Sequence, residues 1–273
     1  MAAIVAMAAL STVSTAGVAA ELRITIGGQS VTYTAAQLLV HPGVMTITTE
    51  NDAAYKRAMT YRAVPVATLL PGLGPQDSVR FVANDGFAAT LPAAPLLLAS
   101  DDAARAYLAI ETPDAPWPSL KPGSPATAGS FYLVWLHPER GRITQESWPY
   151  QVATIEDVPP LTRRFPTLLP DPDAAIAVQR GLQVFVSNCS VCHSLNLAGD
   201  ARVGPDLNVP YSPTEYLREE SLRRLIRGPQ TLRSWPDSKM PAFDVKTINA
   251  RELEDLLAYM RHMAKRKVPV LAK

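Results

Sequence analysis

Cys189-Ser190-Val191-Cys192-His193 is the stretch from which the rest of the chain can be read. Two cysteines with two residues between them lie about one helical turn apart, so both sulfurs reach the same edge of a flat ligand. A histidine directly after them can sit beneath that ligand's centre. The pattern is that of covalent attachment of c-type haem, each thiol adding across one porphyrin vinyl group and the imidazole ligating the iron. Other readings fit less well. A thioredoxin-like Cys-x-x-Cys follows a strand in a βαβ unit, whereas this one follows a helical pattern and precedes a loop. A structural zinc site takes four ligands, but the sequence holds only these two cysteines, and His41, His137 and His262 are far off along the chain. A disulfide closing so small a loop would stabilise little.

The flanking sequence is helical. Ala175, Val178, Leu182 and Phe185 recur at helical spacing just before the motif, with Asp171 a suitable N-cap and Pro172 suited to the first helical position. A closing helix is predicted over residues 249–265. Leu253, Leu256, Leu257 and Met260 form its apolar stripe, Asn249 with Glu252 its cap, and Lys265-Arg266-Lys267 its basic end. Met240 is the leading candidate for the second axial ligand. It follows a polar loop and precedes Pro241, and a thioether suits low-spin iron and raises the potential; the alternative is a packed core methionine. Met260 and Met263 read as packing residues and His262 as an exposed one, a lesser ligand candidate. Trp235 either lines the haem edge, donates its indole N–H to a propionate, or packs in the core.

Residues 173–273 resemble a class I cytochrome c, an all-α fold. The resemblance runs through Gly181 and Phe185, the haem motif, Gly204-Pro205-Asp206-Leu207, Lys239-Met240-Pro241-Ala242-Phe243 and a final helix carrying Tyr259. It implies one haem c held by Cys189 and Cys192, with His193 and Met240 on the iron. It also implies that the Pro205 carbonyl accepts from Nδ1–H of His193 and fixes the ring, and that Gly181, Phe185 and Tyr259 form the crossing of the first and last helices.

Residues 21–157 read differently. Strands are predicted over residues 22–26, 44–49, 78–83, 106–110, 131–136 and 150–155. Short helices are predicted after the capping box Thr34-Ala35-Ala36-Gln37, over residues 64–70 and over residues 91–98, with a turn at Asn84-Asp85-Gly86. The order is not a regular β-α alternation, which makes this half α+β. It resembles the molybdopterin-binding oxidoreductase domain of the sulfite oxidase type, through Tyr61-Arg62-Ala63-Val64-Pro65, residues 79–87 and residues 148–156. That family binds molybdenum through a protein thiolate, and residues 21–157 contain no cysteine. No molybdenum and no molybdopterin are therefore predicted here.

Between the halves, residues 158–172 are dense in proline and predicted to be an extended, semi-rigid linker with Arg163-Arg164 solvated. Residues 1–20 are apolar, uncharged and end in Val18-Ala19-Ala20, a signal-peptide pattern lacking a basic start. Export to the periplasm is expected, with a retained N-terminal anchor as the alternative and no later membrane span. A net charge of +1 gives no reason to expect nucleic acid. The charge is uneven: residues 21–160 hold 9 basic and 13 acidic residues, and residues 161–273 hold 17 and 12.

These features predict a periplasmic carrier of single electrons, its N-terminal half docking or positioning a redox partner such as a dehydrogenase or terminal oxidase. Arg218, Arg223, Arg224, Arg227 and Arg233 form a basic run that either faces solvent, balances propionates or steers that partner. Two other readings remain. In one, the N-terminal half is catalytic and binds a cofactor or metal through His41 or His137. In the other, the haem only stabilises an assembly module.

Overall fold

The computed structural model describes residues 20–141, 143–233, 238 and 240–269. The signal-like segment before Ala20, Trp235 and Lys239 lie outside the described residues. The N-terminal half contains β1 (Glu21–Ile26), β2 (Gln29–Thr34), α1 (Ala35–Leu39), β3 (Met45–Thr49), β4 (Met59–Pro65), α2 (Val66–Leu69), β5 (Ser78–Ala83), β6 (Ala88–Pro92), α3 (Ala93–Leu96), β7 (Arg105–Ile110), β8 (Phe131–Leu136) and β9 (Val152–Val158). They form two sheets, ordered β2-β1-β9-β5-β6 and β3-β4-β7-β8. The α+β class expected from the sequence is the class observed.

The elements follow from local chemistry. Thr34 and Gln37 close the expected capping box around α1, each side chain satisfying the other's backbone N–H. In β4, Met59, Tyr61 and Ala63 alternate inward. β8 is apolar along its length and buried from Phe131 to Trp135. The helix expected from residue 64 begins at Val66, behind β4, and β2, β4 and β6 are strands beyond those expected from the sequence. In β4 and β6 the strand runs straight into a one-turn helix, so each pair reads as a single short apolar segment.

The second half contains α4 (Leu161–Arg164), α5 (Ile176–Asn188), α6 (Pro213–Tyr216), α7 (Glu219–Arg227) and α8 (Ala250–Ala264). Its core is separate and gathers Leu182, Phe185, Leu256, Leu257 and Tyr259. α5 and α8 cross backbone to backbone at Gly181, where a Cβ would lie 2.0 Å from the Asp255 carbonyl oxygen. Arg180 clamps the same crossing through a bidentate pair with Asp255 at 2.6 and 2.9 Å.

Three expectations are corrected here. The segment 158–172 is not an extended tether: it folds into α4 and a 3-10 turn at Pro166–Leu168, burying Leu161 and Leu168, and Tyr259 donates to the Leu168 carbonyl at 2.7 Å. Its leucines find apolar partners in the second core, which outweighs the extended bias of its prolines. Asp171 does not cap α5, which starts at Ile176 behind Ala175. The Asp171 carboxylate is taken instead by Arg266, the Asp171 backbone N–H donates to His262 Nε2 at 3.2 Å, and His262 is partly covered rather than fully exposed.

The halves are joined by a partly buried ionic cluster. Asp200 accepts a bidentate pair from Arg164 at 2.7 and 2.6 Å and a further bond from Arg80 of β5, while Arg80 also holds Glu156 of β9 at 2.7 Å. Arg163-Arg164 was expected to be solvated, yet Arg164 also reaches Thr90 of β6 at 3.1 Å. Burial alone would raise Asp200, but the hydrogen bonds and charges of Arg164 and Arg80 outweigh it and hold the carboxyl below its ordinary range. A depressed carboxyl contributes stability above its unfolded pKa and loses it as pH falls through the folded value. We expect Asp200→Asn to destabilise the chain by about 3 kcal/mol near neutrality, because two guanidinium groups lose their buried counter-charge. Denaturant unfolding should show that loss near neutrality, and the difference from wild type should shrink below about pH 4. Equal midpoints at neutral pH would show that the cluster does not join the halves.

Candidate functional site: the haem cavity

α5 ends at Asn188 with Cys189 as its C-cap, but the chain keeps helical hydrogen bonding for another turn. The N–H groups of Cys192 and His193 both donate to the Cys189 carbonyl, at 3.1 and 2.9 Å. Cys189, Cys192 and His193 therefore project from one turn. They line a cavity of about 1100 Å³ together with Met240, Leu222, Leu256 and Met260. The sequence-predicted haem residues within the described part of the chain thus converge on one mostly apolar cavity of a size to hold a large flat cofactor.

His193 is held from two sides. Its Nδ1 lies 2.8 Å from the Pro205 carbonyl oxygen, which assigns the proton to Nδ1 and leaves Nε2 a lone pair for a metal. Gly204 packs under the ring: a Cβ there would come within 2.4 Å of Cε1. Burial lowers the imidazole's pKa, against the opposing pull of the Pro205 carbonyl and Asp206, which favours the neutral, ligating form. Asp206 organises the loop by accepting from the N–H groups of Leu197, Asn208 and Val209 at 2.7 to 2.8 Å.

The cysteines are thiols recessed in the cavity. Burial, with Glu146 and Cys192 adding to it, pushes Cys189 up to about 12. Its residual accessible surface opens onto the cavity rather than onto bulk water. A thiol so protonated is a poor redox nucleophile, in contrast to an activated Cys-x-x-Cys, and it remains available for addition to a vinyl group.

Met240 is partly buried against the second core, and its carbonyl accepts from Gln230 at 3.1 Å. The segment after it is pinned by Arg227, which donates to the carbonyls of Phe243, Asp244 and Ile248 at 2.9, 3.0 and 2.6 Å. Arg223 is bound to Glu219 and Glu254. Two members of the arginine run therefore serve the fold, while Arg218 and Arg224 form no ion pair among the described residues. His41 accepts from Gly43 inside its own turn at 3.0 Å, and His137 lies 3.5 Å from Glu139. Among the described residues, no group of three or more His, Cys, Asp or Glu is arranged to hold a metal ion.

One wall of the cavity comes from the N-terminal half, through Ala53, Ala54, Phe87, Glu146, Trp148 and Tyr150. The sequence offered no sign of this. Ala88 N–H donates to the Val191 carbonyl inside the haem motif at 3.1 Å, and Arg202 N–H to the Gly86 carbonyl at 3.2 Å. The alanine wall is fixed by Asp52, which is buried and accepts from Tyr61 and Tyr132 hydroxyls at 2.8 and 3.2 Å and from Ala54 and Tyr55 N–H at 2.9 Å.

The cytochrome c family model matches residues 178–264. The match supports reading this segment as a c-type cytochrome domain. It takes in α5 from its third residue, the haem motif, the loop with Met240 and all of α8. A search of curated proteins returns no match to the chain. The residues present fit the haem c that the family implies: paired thiols on one turn, a neutral imidazole with its tautomer fixed, a thioether in the same cavity, and a glycine where any side chain would strike the ring.

Gly204→Ala should accordingly displace the His193 ring. We expect haem-loaded protein to fall several-fold in yield and to show a mixed-spin spectrum. A wild-type spectrum from this variant would mean that the ring has room the packing denies it.

Proposed function

We propose that this protein is an exported carrier of single electrons in which one haem c is enclosed by both halves of the chain. The observation that carries this reading is the shared cavity, in which the haem-motif turn and the N-terminal wall are joined by the Ala88–Val191 backbone bond. The haem, when bound, supplies one-electron exchange between Fe(II) and Fe(III). The chain does the rest. Cys189 and Cys192 anchor the ring, Pro205 orients His193, Arg227 fixes the segment after Met240, and Phe87 and Trp148 narrow the water's access.

The N-terminal half, in this reading, is a positioning module. It keeps a two-sheet α+β fold of the sulfite oxidase type without the cysteine that molybdenum would need, so neither molybdenum nor molybdopterin is assigned to it. It holds the haem turn rigidly and leaves the α6–α7 side for a redox partner, a periplasmic dehydrogenase or a terminal oxidase. No helix among the described residues is long and apolar enough to cross a membrane.

Acid–acetone treatment should leave the haem on the polypeptide, and Cys192→Ala should prevent normal maturation. The oxidised protein should be low-spin with the weak near-infrared band of sulfur–iron ligation, and Met240→Ala should abolish that band and open the iron to small ligands. Extractable haem would refute covalent attachment, and an unchanged Met240→Ala spectrum would refute Met240 as ligand.

A further inference from the structure

Glu146 has no role in the electron-carrier reading, yet its placement is unusual. It sits in the 3-10 turn Gln145–Ser147 of the N-terminal half, is 7% exposed, and lines the haem cavity on the side of Cys189. Its Oε2 is buried with no hydrogen-bond partner. The cation that interacts with it is Lys56, whose Nζ is spent on Gln145 Oε1 at 2.6 Å. Burial pushes this carboxyl up to about 7, against the smaller opposing effects of its own backbone N–H and Lys56. It is thus poised between charged and neutral forms beside a cofactor whose charge changes by one.

We propose that Glu146 is a proton site coupled to the haem electron, binding a proton when the iron is reduced and releasing it when the iron is oxidised. This rests on the haem-carrier reading above. An electron added in a desolvated cavity repels the nearby carboxylate with little screening. The balance is complete: a one-electron donor reduces Fe(III) to Fe(II), one proton from solvent forms the O–H bond on the Glu146 carboxylate, and the site's net charge is unchanged. Solvent lies close by, because a second, open groove of about 370 Å³ reaches Lys56 and shares Ala53, Gln145 and Trp148 with the haem cavity. By linkage, the proton and the electron each strengthen the other's binding equally.

The other ionisable groups around Glu146 do not replace it. Cys189 and Cys192 are consumed by thioether bonds and His193 by the iron. Asp52, beyond Lys56, is held by two tyrosine hydroxyls. Asp85, Arg202 and Arg233 line the same cavity, as would the haem propionates, and all of these remain in a Glu146→Gln variant. The difference between wild type and variant therefore isolates the one group.

The test is the midpoint potential of the haem-loaded full chain, titrated from about pH 5 to about pH 9. Wild type should fall with rising pH around neutrality, its slope approaching about 59 mV per pH unit, the one-electron equivalent of a tenfold change. Glu146→Gln should lose that component, and Lys56→Met should move it to higher pH. Equal slopes in wild type and Glu146→Gln would overturn the proposal. Wild type alone gives a second reading: its reduced-minus-oxidised infrared spectrum should gain a protonated-carboxyl band that moves on ¹³C-glutamate labelling, and its absence would equally overturn it. A chain lacking a low-spin c-type spectrum would refute the haem reading itself; a normal spectrum with pH-insensitive slopes refutes only the role of Glu146.

Discussion

The hydrogen bond from Ala88 N–H to the Val191 carbonyl, 3.1 Å long, lies between the two cysteines of the haem motif and joins them to a strand of the other half. A backbone bond of this kind fixes position as well as proximity, since neither partner has rotamers to exchange. The Arg202–Gly86 bond and the Asp200 cluster hold the same junction from either side. With the turn so fixed, Phe87, Glu146 and Trp148 become part of the haem's surroundings, and the environment of the iron is set by residues more than forty positions upstream of its attachment.

The electrostatics follow from that enclosure. A cavity with mostly apolar walls strengthens every charge inside it. His193 is kept neutral and Cys189 protonated by the same desolvation that raises Glu146. Where charge must be buried, as at Asp200 and Asp255, guanidinium pairs accompany it. Where a hydroxyl network is buried, as around Asp52, the carboxylate accepts from two tyrosine hydroxyls and two backbone N–H groups. Glu146 lacks such partners, and that contrast marks it out.

The cytochrome half was legible because its chemistry is local in sequence. The five-residue motif, the stripe of Leu253, Leu256, Leu257 and Met260, and the Asn249–Glu252 cap each declare themselves within a turn or two. The strands β5 and β8 were equally plain, β5 from Val79, Phe81 and Val82 and β8 from a continuous apolar run. What stayed hidden depended on distance along the chain. Arg80 and Asp200 are separated by 120 positions, and nothing near either one announces the other. Glu146 looks like an ordinary acid in a polar loop, since its burial at the cavity wall leaves no local trace. The segment 158–172 misled because proline content indicates backbone stiffness, while the contacts of Leu161, Leu168 and Arg164 decide where that stiff segment lies.

The central claim is that the N-terminal half forms part of the haem environment. Paramagnetic NMR of the haem-loaded full chain tests it most directly, because ferric low-spin iron shifts nearby protons and the ferrous form does not. The account predicts large, redox-dependent shifts for protons of Ala54, Phe87 and Trp148, comparable to those of Leu222 and Met260 on the cytochrome side. Shifts confined to residues 176–264, with Ala54, Phe87 and Trp148 unmoved between oxidation states, would contradict it.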